Sequence, residues 1–350
     1  MSLSPFEHPF LVGLFGDAEI SALFGAEADV QAMLRFEMAL AEAEAAVGFI
    51  PEPHAARIVG AIATVSIDYG ALRDGVSKDG VVIPELVRQL RAAVGADATA
   101  SVHFGATSQD VIDTSLMLRL KVAAEILQRR LSGCIAGLEN VGARDGSKAL
   151  MGHTRMQAAI PITVEDRLAS WRHPLIRHHG RLASFGQTGF CLQFGGAAGS
   201  LEKFGAKGAE VRAELARRLE LADTPQWHSQ RDGIVEFGNI LSLITGSLGK
   251  IGQDVALLAQ SGQEIRLSGG GGSSAMPHKQ NPVLAETLVT LARFNAVQIS
   301  ALHQSMVHEQ ERSGSAWMLE WLLLPQMVVA TGTALQIADR LLGQVQVLGA

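Results

Sequence analysis

The stretch Gly272-Ser273-Ser274-Ala275-Met276-Pro277-His278-Lys279-Gln280-Asn281-Pro282 concentrates two hydroxyls, a lysine and two amides directly after Ser268-Gly269-Gly270-Gly271. Glycine reaches backbone conformations that other residues avoid, so N–H groups in such a run can approach an anion closely. Pro277 and Pro282 stiffen the far side, and Pro282 falls where a first helical turn can begin. Lys279 and Asn281 supply one cationic and one neutral donor. A hydroxyl such as that of Ser273 moves a proton usefully only where surrounding donors and a cation stabilise its alkoxide. Glycine-serine composition by itself describes a linker. The Met-Pro-His-Lys-Gln-Asn-Pro tail is not linker composition, and it turns the reading towards a loop that closes over an anion.

Further segments hold polar groups in chemically useful patterns. Gly105-Ala106-Thr107-Ser108-Gln109-Asp110 precedes a helical pattern, so Thr107 or Ser108 can cap it, and Thr107 with Asp110 fits a capping box. The same exposed N–H groups at a helix start bind carboxylates. In Thr154-Arg155-Met156-Gln157-Ala158-Ala159-Ile160-Pro161, Arg155 is either a surface arginine starting a helix or a two-pronged grip on a carboxylate. A guanidinium holds its proton too tightly to shuttle it. Trp227-His228-Ser229-Gln230-Arg231-Asp232 precedes a long helix, and His308-Glu309-Gln310-Glu311-Arg312-Ser313 closes another, with Arg312 a second carboxylate anchor. Arg172-His173-Arg177-His178-His179-Arg181 reads as a solvated basic face. It has no histidine pair at the i, i+4 spacing of a helical metal site, and the chain has no HExxH pattern.

Long helices must position these groups. The clearest runs from about Ile234 to Ile265, with Phe237, Leu241, Ile244, Leu248, Ile251, Val255 and Leu258 in alternating steps of three and four, about 45 Å of heptad-type seam. Gly238, Gly246, Gly249 and Gly252 weaken an isolated helix, which predicts close approach by neighbouring helices. A second helix begins after Asp110 with Val111, Ser115, Leu118, Val122 and Ile126 on one face. A third follows Pro161 with Leu168, Trp171, Leu175 and Leu182. A fourth follows Pro282 with Leu284, Leu288, Leu291, Ile299, Leu302 and Met306. Helices this long need a bundle, completed by other subunits. The first hundred or so residues, broken by Gly48, Pro51, Pro53, Gly75, Gly80 and Pro84, read as a smaller helical domain ending near Phe104.

At 350 residues, 47% hydrophobic and 18% charged, the chain is long enough for two domains or one elongated one. The 5% aromatic content, with one tyrosine, leaves sheet formers scarce and predicts an all-α fold. A net charge of −6 argues against nucleic-acid binding, so an anionic substrate needs a local cationic pocket. No uninterrupted apolar run reaches the roughly 18 residues of a membrane span. The start Met1-Ser2-Leu3-Ser4-Pro5-Phe6-Glu7-His8 lacks a signal-peptide pattern. Cys134 and Cys191 are too few for a disulfide framework or a cysteine-ligated zinc site. The expectation is a cytoplasmic protein without a membrane partner.

The 272–282 loop resembles the signature of the fumarase/aspartase superfamily, in the version shared by adenylosuccinate lyase and 3-carboxy-cis,cis-muconate cycloisomerase. The likeness extends, more weakly, over nearly the whole chain. It implies a small N-terminal helical domain (1–104), then a long central bundle (105–350) that forms the core of a homotetramer with shared active sites. A third, C-terminal helical domain would begin about where this chain stops, so it is absent or truncated. The resemblance gives Ser273, Lys279 and Asn281 as catalytic residues. It places Thr107, Ser108, Gln109, Arg155, Gln157, Ser274, Met276 and Arg312 on the substrate, and Glu286 as the carboxylate that orients Arg155 across subunits. No cofactor and no metal is implied.

One departure from the superfamily pattern decides among its reactions. Arg155 stands where the lyases have their general-acid histidine, and His153 lies two positions earlier. A lyase that releases ammonia, a purine or fumarate needs a proton donor for its leaving group. A lactone-forming cycloisomerase has no departing group, because the substrate's own carboxylate adds to its double bond and only the carbon proton must be supplied. Val102-His103-Phe104 leading into the Thr107–Asp113 segment, and the late Trp317-Met318-Leu319-Glu320-Trp321, look most like the 3-carboxymuconate cycloisomerases of aromatic-compound catabolism. Three carboxylates on such a tricarboxylate substrate, or a sulfo-substituted analogue, account for an extra arginine. The alternatives are a C–N lyase of the adenylosuccinate type using His103 or His153, and a catalytically silent helical scaffold.

Overall fold

The structure is a computed structural model, described over residues 4–272, 274–276 and 279–350. Two short helices, α1 (Val12–Phe15) and α2 (Ala18–Ala22), lead into α3 (Ala26–Val47), α4 (Glu52–Ile62), α5 (Tyr69–Asp79) and α6 (Ile83–Val94). The 38-residue α7 (Ser108–Asp145) follows, then strands β1 (Ala149–Thr154) and β2 (Gln157–Thr163) and helix α8 (Val164–Thr188). After α9 (Gly208–Leu219) come α10 (Asp232–Ser261), β3 (Ile265–Leu267), α11 (Val283–Gln304), α12 (Ser315–Gln344) and β4 (Val345–Leu348).

The predicted seam of α10 is buried throughout, from Ile234 and Phe237 to Val255 and Leu258, and it packs against α8, α11 and α12. Of the four glycines predicted to mark close approach, three do so. A methyl group at Gly238 would meet Leu302, one at Gly249 would meet Ala292, and one at Gly252 would meet the carbonyl of Ala285. Gly246 faces open space. The α8 stripe of Leu168, Trp171, Leu175 and Leu182 is also buried. Val122 on α7 is exposed instead, and so is Met306, which lies beyond the end of α11. One continuous apolar core joins the N-terminal helices to the bundle, with α3 against α7 and α9.

Several expectations need correction. The helix near 234–265 ends at Ser261, where Gly262 takes the left-handed conformation that closes a helix. The all-α expectation itself holds: helices make up the fold, and the described strands add just two short antiparallel pairs, β1 with β2 and β3 with β4. Arg155 starts no helix; it sits at the turn between β1 and β2. The basic cluster on α8 is only partly solvated: His178 is buried, with Nε2 2.8 Å from Ser247 Oγ and Nδ1 2.9 Å from Arg181 Nη1. Burial, then Arg181 and Arg177, push its pKa down to about 4. By length and hydropathy α10 and α12 could each span a bilayer, but 61% and 72% of their most apolar windows are buried inside the fold, as in core helices.

Candidate active site

The start of α7 is built as the sequence predicts. A capping box joins Thr107 and Asp110, and Asp110 Oδ2 accepts from the backbone N–H of Thr107 at 3.0 Å. Asp110 is fully buried. Its Oδ2 also accepts from Gly196 N at 3.0 Å, while Oδ1 meets Gly195 N and His228 Nε2, each at 2.9 Å. One carboxylate therefore ties the helix start to the 193–201 segment and to the turn before α10. Gly196 has φ 70°, and a Cβ there would lie 2.9 Å from the carbonyl of Gly105, so the two glycine turns can touch only without side chains.

Arg312 reaches this rim from the connection between α11 and α12. Its Nη1 donates to Thr107 Oγ1 at 3.0 Å, and its Nη2 donates to the carbonyls of Gly196 (3.3 Å) and Ala197 (2.8 Å). Arg312 thus organises the rim through its own chain as well as presenting charge there. Gln109 is fully buried, with Nε2 on Asp113 Oδ2 (3.1 Å) and on the carbonyl of His228 (2.9 Å), so its side chain supports the rim from behind.

Beneath lies a buried ion cluster that sequence reasoning did not assemble. Arg231 Nη1 and Nη2 donate to Asp113 at 2.7 and 3.2 Å, and its Nε and Nη2 donate to Glu320 at 2.9 and 2.5 Å. Trp317 Nε1 donates to Asp113 at 2.9 Å, and the guanidinium stacks over Trp227. Burial opposes the charge on Arg231, but Asp113 and Glu320 outweigh it and raise its pKa above the usual arginine value. Removing one partner from such a pair typically costs about 3–5 kcal/mol, because the other charge stays buried and unpaired. The segments 227–232 and 317–321 were visible in the sequence as motifs. Their partnership was not, because Asp113, Arg231 and Glu320 lie far apart in the chain. The signal for the 193–201 segment was its Gly195-Gly196-Ala197-Ala198-Gly199 run.

Arg155 stands elsewhere in the same chain. Thr154 pairs with Gln157, so Arg155 and Met156 form a two-residue hairpin turn, with φ 47° and 67°. Both are left-handed, a region that non-glycine residues enter at a cost of about 1–2 kcal/mol each. Gln157 and Met156 are exposed, the latter at 73%. Arg155 lines a cavity of about 490 Å³ with His153, Arg167, Lys250, Asp254 and Glu264. Within that cavity Asp254 accepts from Trp171 Nε1 at 2.7 Å and pairs with Lys250. Another cavity of about 500 Å³ opens between the N-terminal segment, α3, α7 and α12, and contains none of the predicted site residues.

The glycine-rich loop closes on itself: Gly271 and Asn281 exchange backbone hydrogen bonds at 2.8 Å, and Lys279 N donates to the carbonyl of Met276 at 3.0 Å. Asn281 Nδ2 is 3.4 Å from the carbonyl of Gly272. Ser274, Met276 and Lys279 are exposed, whereas Ser273 lies outside the described residues. Pro282 caps α11, and Glu286 is exposed in its first turn. No ion pair joins Arg155 to Glu286 among the described residues of a single chain. One chain therefore brings Thr107, Ser108 and Arg312 together and leaves Arg155 and the loop on other elements.

His103, the residue before the turn at Phe104 and Gly105, is itself left-handed and has Nδ1 2.6 Å from Glu37 Oε1. Burial disfavours its imidazolium, but Glu37 reverses the balance and raises its pKa. Glu44, one helical repeat further along α3, is buried without a hydrogen-bond partner on either oxygen. Burial, with Glu37 adding to it, pushes the Glu44 carboxyl up to about 10.

The comparisons with known proteins agree with this architecture. A family model described as Lyase matches residues 15–299. The chain is 40% identical over 341 residues to 3-carboxy-cis,cis-muconate cycloisomerase of Pseudomonas aeruginosa, covering 95% of this chain and 74% of the relative. It is 38% identical over 325 residues to the enzyme of the same name from Pseudomonas putida, covering 91% and 77%. The crystal structure of 3-carboxy-cis,cis-muconate lactonizing enzyme from Pseudomonas putida superposes with a TM-score of 0.88 at 35% identity, over 97% of this chain and 77% of that one. This chain thus spans about three quarters of the length of these relatives. By the family match, these identities and the shared fold, the chain belongs to the Lyase family, within the fumarase/aspartase superfamily that its 272–282 loop resembles.

Proposed function

We propose that this protein is a cycloisomerase that closes 3-carboxy-cis,cis-muconate, or a close analogue such as a sulfomuconate, to the corresponding muconolactone. The observation that carries this reading is Arg155 at the tip of a strained two-residue turn. A guanidinium held there suits a carboxylate and does not serve as the proton donor of a leaving group. The two Pseudomonas relatives are named for the same reaction. In the proposed mechanism a substrate carboxylate oxygen adds to the carbon–carbon double bond, and the displaced electron pair passes to an enolate-like carboxylate. Lys279 and Asn281 stabilise that charge, and Ser273 delivers the proton to carbon. Thr107, Ser108, Arg155, Gln157, Ser274, Met276 and Arg312 hold the spectator carboxylates and the substrate body. Gln109 braces the rim.

The assembly proposed with it is a homotetramer whose sites draw on several subunits. The separation of Arg155 and the loop from the Thr107 rim supports this. So do the exposed apolar side chains Leu243, Val297, Val307 and Leu322 on and beside the bundle helices. In such an assembly Glu286 of one subunit orients Arg155 of another. The division into residues 1–104 and 105–350 belongs to the same proposal, its boundary falling at the turn before α7. The lyase alternative would rely on His103, already engaged by Glu37, or on His153, whose Nδ1 lies 3.1 Å from the carbonyl of Met151.

The test is a pair of assays on the purified protein. Loss of muconate absorbance with 3-carboxy-cis,cis-muconate, without fumarate release from adenylosuccinate, is the expected result. Fumarate release without muconate turnover would replace the cycloisomerase by the lyase.

A further inference from the structure

We propose that Asp110 is a positioning residue for the carboxylate-binding rim, acting through Arg312; this rests on the proposed reading of that rim as a tricarboxylate site. Asp110 touches no open surface, yet its two oxygens meet four nitrogens within 3.0 Å from three separate segments: Thr107 N, Gly195 N, Gly196 N and His228 Nε2. Two of those segments are the ones that Arg312 bridges on the other side, through Thr107 Oγ1 and the carbonyls of Gly196 and Ala197. The carboxylate pulls the N–H side of the 195–196 turn inward, which leaves the carbonyls of Gly196 and Ala197 to receive the guanidinium. The distance between the helix start and the guanidinium is thereby set by a group that never meets the ligand. An acceptor-only side chain is required, because the backbone N–H groups of Thr107, Gly195 and Gly196 all donate to it.

Asp110→Asn keeps the shape but aims an amide N–H₂ at backbone N–H groups or at His228. The probe is propane-1,2,3-tricarboxylate, a dead-end tricarboxylate, with binding read by calorimetry on full-length parent protein, Asp110→Asn, Arg312→Lys and the double variant. The expected results are about tenfold weaker binding for Asp110→Asn, and little further loss when Arg312→Lys is added to it. That non-additivity marks a shared action which general loosening of the fold would not produce. Binding weakened threefold or less, or a full Arg312→Lys loss persisting on top of Asp110→Asn, overturns the proposal. Should Asp110→Asn fail to fold, His228→Gln, which disturbs one donor only, is read by the same criteria. Because binding rather than turnover is measured, a parent that fails to lactonise muconate would refute the proposed reaction and leave this result standing. A parent that binds no tricarboxylate overturns the positioning role.

Discussion

Arg312 donates from Nη1 to Thr107 Oγ1 at 3.0 Å, closing a contact between residues 205 positions apart in the chain. Its Nη2 is shared between two carbonyls of the 196–197 turn, so one planar group spans both walls of the rim. A lysine ammonium carries the charge but cannot hold three acceptors in that plane. Arg312→Lys should lower kcat/KM roughly ten- to a hundred-fold, the loss expected when charge-assisted hydrogen bonds worth about 1.5–3 kcal/mol are removed. Steady-state kinetics on muconate checks this, and a change below twofold would mean that the contact does no functional work.

Arg155 makes a sharper distinction between reactions. Arg155→His installs the residue type of the lyases, and it should damage lactonisation because a proton donor there has no leaving group to serve. Arg155→Lys should lose roughly ten- to a hundred-fold in kcat/KM through the missing paired hydrogen bond. Equal muconate turnover by Arg155→His, or fumarate release gained by it, would remove the main physical support for a cycloisomerase.

Shared sites predict complementation. Inactive Arg155→Ala and inactive Ser273→Ala proteins, dissociated, mixed and re-formed, should regain part of the parent activity through hybrid sites carrying both intact residues. Hybrids verified by mass that remain inactive would count against sites shared between subunits.

Glu44 predicts a pH effect on stability. Its carboxyl is held neutral in the fold, near a pKa of about 10, whereas in the unfolded chain it ionises near 4.5. The unfolded state therefore binds fewer protons above that lower value, and this group makes the fold progressively less stable as pH rises from about 5 towards 10. Glu44→Gln removes the titration without removing the volume. Its melting temperature relative to the parent should rise between pH 5 and pH 9. A constant difference across that range would show that Glu44 is not buried as the neutral acid.

The legible parts of this molecule are those set by local spacing. The α10 seam from Ile234 to Leu258 follows from steps of three and four. The Thr107–Asp110 cap follows from residue types three apart, and glycines 238, 249 and 252 announced close helix contacts. Harder to read were features made by distant partners. Asp113, Arg231 and Glu320 each looked like an ordinary charged residue, and only the fold shows that they share one buried cluster. The β1–β2 hairpin was missed because its turn uses Arg155 and Met156 where asparagine and glycine usually mark such a turn. Val122 fitted its apolar stripe by spacing and is exposed nonetheless, since a single helix's pattern does not say where its neighbour ends.

The most direct test follows the carbon proton. Turnover of 3-carboxy-cis,cis-muconate in deuterium oxide, followed by nuclear magnetic resonance and mass spectrometry, should give a lactone isomeric with the substrate. That lactone should carry one solvent deuteron on carbon, with no second product, and Ser273→Ala should abolish its formation. Free fumarate, a lactone without carbon-bound deuterium, or unchanged rates in Ser273→Ala would contradict the account.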